Sequence, residues 1–382
     1  MTGVLGFLFL ALSFAGIVYT LAAALLAGRY RAIAPPLPRE APALTVLKPL
    51  HGDEPALATN LASFVDQTYP GPVQMVCGVQ HSDDPAIDTV HALRDARKDR
   101  DILLVVDPAR HGANGKISNL VNMTRHARHP LLILSDSDMA APPDYLATIV
   151  AALNRPGIGA VTCLYHGRGQ AGGWSRIAAA GISYQFLPSV IVGIALGRAQ
   201  PCMGSTIALR RATLDRIGGF ANFADLLADD HAIGEAVRAL GLAVAVPPLI
   251  LAHGCAEASL GALVRHELRW AATIRGLDRA GYAGSVVTYP VPLALLGLAI
   301  AGLSAPAAAI AGLALLARLG LAWRIDQLTG ERAMSLWLLP ARDILAFAIF
   351  VAGFFARAVD WRGSGFRMEK DGRIAARSES LT

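Results

Sequence analysis

The pattern of apolar and polar positions divides the chain into three regimes. From about Val4 to Ala27 the sequence is apolar and carries no charge. At 1.5 Å per residue, about 20 residues cross the hydrocarbon core, so this run suffices for one transmembrane helix. A cleaved signal peptide needs basic residues ahead of its apolar stretch, but only Met1, Thr2 and Gly3 stand there. Arg29, Arg31, Arg39 and Lys48 follow instead. The expectation is a retained anchor over residues 1–28, with the downstream domain on the cytoplasmic side of the membrane.

Residues 29–43 read as a short, stiff, Pro-rich linker, densest at Ala34–Pro42. The second regime, 44–285, alternates short apolar runs with helical patterns, the mark of an α/β fold with a parallel sheet. Strands are expected at Leu44–Leu50, Val73–Val79, Ile102–Val106 and Leu131–Leu134, with helices at Pro55–Gln67, Ala86–Lys98 and Ile117–His126. Such a sheet binds ligands beyond the carboxyl ends of its strands. Within this regime Ile177–Gly197 is a further apolar run. A membrane crossing there would separate the two halves of the domain, and Gly181, Ser183, Gln185 and Pro188 suit an interfacial amphipathic segment that admits a lipid. A buried core helix is the competing reading.

The third regime, 286–358, holds an apolar stretch from Pro290 to Trp323, broken at Ser304-Ala305-Pro306, and another from Ser335 to Ala356. If the basic tail at 359–382 is cytoplasmic, this region crosses an even number of times. Two crossings satisfy that, the first Pro-kinked, and so does a hairpin around Pro306 with an interfacial helix. Arg342-Asp343 inside the second stretch is costly in a bilayer unless paired or interfacial.

Composition sharpens this picture. The 382 residues are 54% hydrophobic and only 16% charged, too apolar for an ordinary soluble enzyme. The net charge of +5 fits basic flanks of membrane spans. No Lys/Arg run is interleaved with aromatics, which argues against nucleic acid as a partner. Cys77, Cys163, Cys202 and Cys255 form no CxxC pair, so neither a disulfide framework nor a zinc site is indicated.

Four acidic or basic constellations carry candidate chemistry. Ser135-Asp136-Ser137-Asp138 directly follows the LLIL strand, where Asp136 and Asp138 can approach one Mg²⁺ or Mn²⁺ and its diphosphate ligand; a surface turn is the alternative. Asp83-Asp84 follows the second strand, placed either to accept hydrogen bonds from a base and ribose or to cap the next helix. Asp229-Asp230 precedes a helix at Ala232–Leu240, and Asp230 suits a general base, with capping again the alternative. On a helix over Leu260–Ile274, His266, Arg269 and Trp270 share a face. Arg neutralises a diphosphate and Trp walls a sugar ring, whereas an amphipathic helix with a Trp anchor is the plainer account. No second His follows His266-Glu267 at zincin spacing.

The ordered combination resembles family-2-like glycosyltransferases with the GT-A fold. More narrowly it resembles the ceramide glucosyltransferase group and a bacterial hopanoid-biosynthesis glycosyltransferase. LKPLHGDEP, VQHSDDPAID, NGKISNL, SDSDM, the CMGST–LRR–IGGF stretch, LADDH and HELRW carry the likeness. The resemblance implies a GT-A (Rossmann-like) α/β domain with one N-terminal and about two C-terminal transmembrane segments. It implies Asp84 and Asp136 as the two motif aspartates, Asp230 as the base and His266–Trp270 as the (Q/R)xxRW motif, with His at 266 where the family pattern has Gln or Arg. Lys116 within NGKISNL is then expected near the donor. The implied activity is metal-dependent, inverting transfer from a UDP-sugar to a membrane lipid in the bacterial inner membrane. A hopanoid polyol with N-acetylglucosamine is preferred and ceramide with glucose is the alternative. A processive synthase needs more spans, and a transporter would place its charges inside them. A catalytically silent membrane scaffold is the remaining non-enzyme reading.

Overall fold

The computed structural model describes residues 2–30 and 41–356, with three short C-terminal strands as backbone alone. Most of the Pro-rich linker and the side chains of the basic tail lie outside the described residues. Helix α1 (Thr2–Arg29) is followed by strands β1 (Leu44–Pro49), β2 (Val73–Val79), β3 (Asp101–Val106) and β4 (Leu131–Leu134). Helices α2 (Leu57–Val65), α3 (Ala86–Ala96) and α4 (Gly115–Thr124) fill the intervals. Then come β5 (Met139–Ala140), α5 (Tyr145–Leu153), β6 (Ile158–Val161) and β7 (Leu164–Gly169). After α6 (Gly173–Gly181), a π-helical turn (Ile182–Phe186) leads into α7 (Leu187–Ala195), and β8 (Ile207–Arg210) and α8 (Arg211–Arg216) follow. The domain closes with α9 (Asp229–Ala239), β9 (Ala243–Ala245), β10 (Ile250–Cys255), α10 (Leu260–Leu277) and α11 (Arg279–Gly284). Helices α12 (Pro290–Ala301), α13 (Ala305–Thr329) and α14 (Leu339–Gly353) precede strands β11 (Ala358–Trp361), β12 (Ser364–Met368) and β13 (Ile374–Ala376).

The main sheet runs β3-β2-β1-β4-β8-β6-β9. Strands β1 to β4 are mutually parallel and β8 is antiparallel to both its neighbours. All six residues of β1 and all four of β4 are buried, as a parallel sheet covered on both faces requires. The strand order reverses at β1, so a crevice opens beyond the ends of β1 and β4. A second sheet, β5-β10-β7, stands beside it and brings β10 against the turn that follows β4.

Among the described residues, four helices are long and apolar enough to cross a membrane: 3–29, 173–195, 305–329 and 336–353. The segments 279–288 and 290–301 make a fifth only as a broken pair bent by 72°. The apolar stretch 290–323 is a hairpin, not a kinked rod. Gly302 takes φ +82° and Ser304 caps α13, its hydroxyl accepting from the Ala307 amide, so the chain reverses and α12 and α13 pack on each other and on α1. Segment 177–197 does not lie alone on an interface. It packs between β7 and α1, and its polar residues meet protein: Ser183 takes the Gly167 amide and Gln185 donates to Thr288. The charges of α14 are likewise paired. Arg318 forks onto Asp343 at 2.7 and 2.9 Å, and Arg342 donates to the Ile177 carbonyl and to Glu267.

Candidate active site

A cavity of about 1120 Å³ opens at the carboxyl edge of the sheet. Its floor is the turn after β4, one wall is the α9 N-terminus, and the opposite wall is α10. Of the residues singled out in the sequence, Lys116, Asp136, Asp138, Asp230, His266, Arg269 and Trp270 line it. Asp84 does not. It is buried beside the cavity, where its carboxylate takes the amides of Gly52 (3.0 Å) and Ala86 (2.9 Å) and lies 3.6 Å from His51, which does line the wall. Asp83 is exposed and outside the lining.

The polar end is built around Lys116. Asn114 caps α4 through the Ile117 amide while its Nδ2 donates to the Leu226 carbonyl and to Asp229, tying the start of α4 to the start of α9. Lys116 therefore reaches Asp136 at 2.7 Å and Asp229 at 3.6 Å. Burial alone lowers an ammonium pKa, but Asp136, Asp229 and Asp230 outweigh it and raise that of Lys116. Burial in turn pushes the Asp136 and Asp229 carboxyls up against the pull of Lys116. Gly204 lies between the floor and the α9 wall. A Cβ on it would stand 2.8 Å from both Asp136 Oδ2 and Lys116 Nζ, and its amide donates to Asp230 Oδ2 at 3.0 Å.

Asp138 has a different partner. Its Oδ2 lies 3.2 Å from His253 Nε2 on β10, while its Oδ1 is buried with no hydrogen-bond partner. Burial would raise the Asp138 carboxyl, yet His253 holds it down at about 2, and Asp138 reciprocally raises His253 against the effect of burial. Among the described residues no cluster of three or more His, Cys, Asp or Glu side chains gathers as a complete metal cage. The orphaned Asp138 oxygen, on a carboxylate whose other oxygen His253 already holds, nevertheless fits a cation that completes its shell with phosphate oxygens and water. Asp136, engaged by Lys116, stands next to this pair.

On α10, His266 and Trp270 meet edge to face at 5.0 Å, and His266 is bonded to Glu257. Trp270 continues toward Phe186 and His253, forming an aromatic wall. His253, Glu257 and Gly204 were not picked out from the sequence, and Lys48 and Asp229 were named there only as a flanking cation and as half of the Asp229-Asp230 pair. His253 had a faint signal as the one imidazole in an apolar strand, and Asp229 as the neighbour of Asp230; the rest emerge only from packing.

Lys48 is fully buried on β1, its Nζ 2.5 Å from the Asp136 carbonyl and 3.8 Å from the Phe64 ring centroid. Burial lowers it to about 8, with Asp138 and Asp136 pulling the other way. Its folded pKa is below its unfolded value of 10.5, so between those values the unfolded chain binds more protons and stability rises with pH. The Tm advantage of the wild type over Lys48→Met is expected to grow from pH 8 to 10.5; a pH-independent difference contradicts this account.

A mixed sheet whose parallel half ends in a carboxylate turn after β4, with a basic aromatic helix opposite, is the GT-A fold of glycosyltransferases, here with long apolar helices packed alongside. The chain belongs to glycosyl transferase family 21, whose model matches residues 8–374. It is 24% identical over 206 residues to ceramide glucosyltransferase 1 of Caenorhabditis elegans, covering 54% of this chain and 44% of that one. To ceramide glucosyltransferase 3 of the same organism it is 24% identical over 246 residues, covering 60% and 50%. The chain thus spans about half the length of the curated relatives it matches. Among solved structures it is similar to the mannosyltransferase PcManGT from Pyrobaculum calidifontis in complex with GDP-Man and Mn²⁺. The TM-score is 0.53 at 20% identity, covering 92% of this chain and 98% of that one, a likeness of fold.

Proposed function

We propose that the protein transfers a sugar from a UDP-sugar to the primary hydroxyl of a membrane lipid, with inversion at the anomeric carbon. The observation that carries this reading is the cavity itself, acidic and lysine-bearing at one end, walled by Arg269 and Trp270 at the other, and flanked by apolar helices. Asp84, which holds the Gly52 turn beside His51 at the cavity wall, is assigned to the nucleoside end, whereas Asp83, exposed outside the lining, takes no part in this reading. Asp136 and Asp138 would hold a divalent cation, Mg²⁺ or Mn²⁺, with His253 keeping Asp138 ionised. When bound, that ion supplies Lewis-acid neutralisation of the diphosphate. Lys116 and Arg269 meet the charge growing on the departing diphosphate, and Trp270 with His266 walls the sugar. Asp230 takes the proton from the lipid hydroxyl. The hydroxyl oxygen bonds to the anomeric carbon as the bond from that carbon to the diphosphate oxygen breaks, and the nucleoside diphosphate leaves. One base and no protein nucleophile is the logic of a single inverting displacement, which gives a β-linkage.

The finer assignment is N-acetylglucosamine onto a hopanoid polyol such as bacteriohopanetetrol, favoured by the runs Trp337–Arg342 and 359–363, the second of which is described only in part and as backbone. Ceramide receiving glucose is the second reading, and the names of the curated relatives favour it. The proposed location is the bacterial cytoplasmic membrane with the catalytic domain inside, as Arg29 and the basic tail suggest. Purified protein with Mg²⁺ is to be offered bacteriohopanetetrol and ceramide against UDP-glucose and UDP-N-acetylglucosamine. One pairing is expected to give radiolabelled glycolipid. No product from any pairing would overturn the transferase reading.

A further inference from the structure

A second cavity, of about 290 Å³, adjoins the first and shares Phe186, His266, Trp270 and Ile274 with it. That volume is at the lower end of small-molecule pockets, about 300–1000 Å³. It lies between α10 and the candidate membrane spans 173–195 and 336–353, with Ile182, Ala271, Tyr282, Ala346, Ile349 and Phe350 giving it a largely apolar wall. Two polar atoms of its lining residues are buried without hydrogen-bond partners, Nη1 of Arg342 and Oε2 of Glu257. The Arg342 side chain is 5% exposed, and its other nitrogens are taken by the Ile177 carbonyl and Glu267. Glu257 is 9% exposed and gives Oε1 to His266. Each orphaned atom carries a desolvation cost that a ligand group of the opposite kind would relieve.

We propose that this cavity seats the acceptor lipid, an inference that rests on the transferase reading above. A lipid oxygen accepts from Arg342 Nη1, a lipid hydroxyl or amide N–H donates to Glu257 Oε2, and hydrocarbon runs along Ile349 and Phe350 toward the bilayer. The reacting hydroxyl passes the Trp270 wall into the first cavity. A water-soluble acceptor is disfavoured by the wall itself, which offers a small polyol these orphaned atoms amid aliphatic and aromatic surface. The side of α14 away from the cavity exposes Ile344 and Val351, as a helix bordering lipid does. One unpaired donor and one unpaired acceptor in an apolar chamber call for a lipid with at least two polar groups near its head.

The test uses the full-length protein in mixed micelles, with whichever lipid of the acceptor panel is glycosylated. Ala346→Phe fills the chamber and is expected to raise the lipid KM about tenfold or more with the donor KM within about twofold. Arg342→Lys, which keeps a cation beside Glu267 while losing the planar fork, is expected to raise the lipid KM about fivefold. Leu303→Phe, at a position 92% exposed in the α12–α13 turn, is the control and changes neither constant. A diazirine analogue of the lipid that is glycosylated, bacteriohopanetetrol or ceramide, with the diazirine on its hydrocarbon, is to label wild-type protein on α14 and residues 177–195, and unlabelled acceptor is to compete. That arm also stands if a variant fails to fold. Unchanged lipid KM in Ala346→Phe, or labels confined to the outer faces of α1 and α13, would overturn this assignment while leaving the transferase reading intact. Failure of the wild type to glycosylate any lipid overturns both.

Discussion

Asp230→Asn is expected to leave nucleotide-sugar binding within about twofold while cutting transfer to lipid by about 10²–10⁴-fold, the span of general-base catalysis. The substitution is nearly isosteric. Asn keeps one oxygen to accept from the Gly204 amide, so the backbone that separates Asp230 from Lys116 and Asp136 stays in place. The capacity to take a proton is lost, together with one of the three charges that hold Lys116 protonated, of which Asp136 and Asp229 remain. Donor affinity by calorimetry and turnover with radiolabelled donor separate the two effects, and near-normal turnover in the variant removes Asp230 from the base role.

Asp138→Ala should act at the other end of the reaction. It removes the carboxylate that His253 holds ionised and the orphaned oxygen that fits a cation, so a loss of about 10³-fold in kcat/KM is expected, equivalent to several kcal/mol of charge stabilisation. The diagnostic is its metal response. Wild-type activity should vanish with a chelator and return with Mg²⁺ or Mn²⁺ along a saturable curve. The variant's residual activity should need far higher metal, and an unchanged metal midpoint would assign the cation to other groups.

Much of this arrangement was legible in the chain. LTVLKPL, VQMVCGV and LLIL are continuous apolar runs, the pattern of strands buried on both faces, and each occurs as a strand of the main sheet. SDSD could be put at a strand's carboxyl end because LLIL is too short and too apolar for anything but a core strand. The α12–α13 reversal was also written locally, in a Gly, a capping Ser and a Pro in the first helical turn. In segment 177–197 only the exposure was misjudged: Ser183 and Gln185 in an apolar helix suggest contact with water, whereas here they satisfy protein groups remote in sequence. Partner choice was the illegible part. Nothing local indicates that His253 meets Asp138, that His266 turns to Glu257, or that Arg342 finds Glu267 across 75 positions. Those contacts depend on how β10, α10 and α14 approach one another, which periodicity does not encode.

The bond between Glu267 and Arg342 has a mechanical meaning. Glu267 lies one residue from His266 and two from Arg269, while Arg342 belongs to a helix apolar enough to sit in lipid. Sideways pressure or thinning of the surrounding leaflet that tilts this helix would pull directly on the groups proposed to face the diphosphate. On the proposed assignment the bilayer is a moving part of the reaction centre, and turnover is expected to respond to lipid thickness and curvature even when every substrate is saturating.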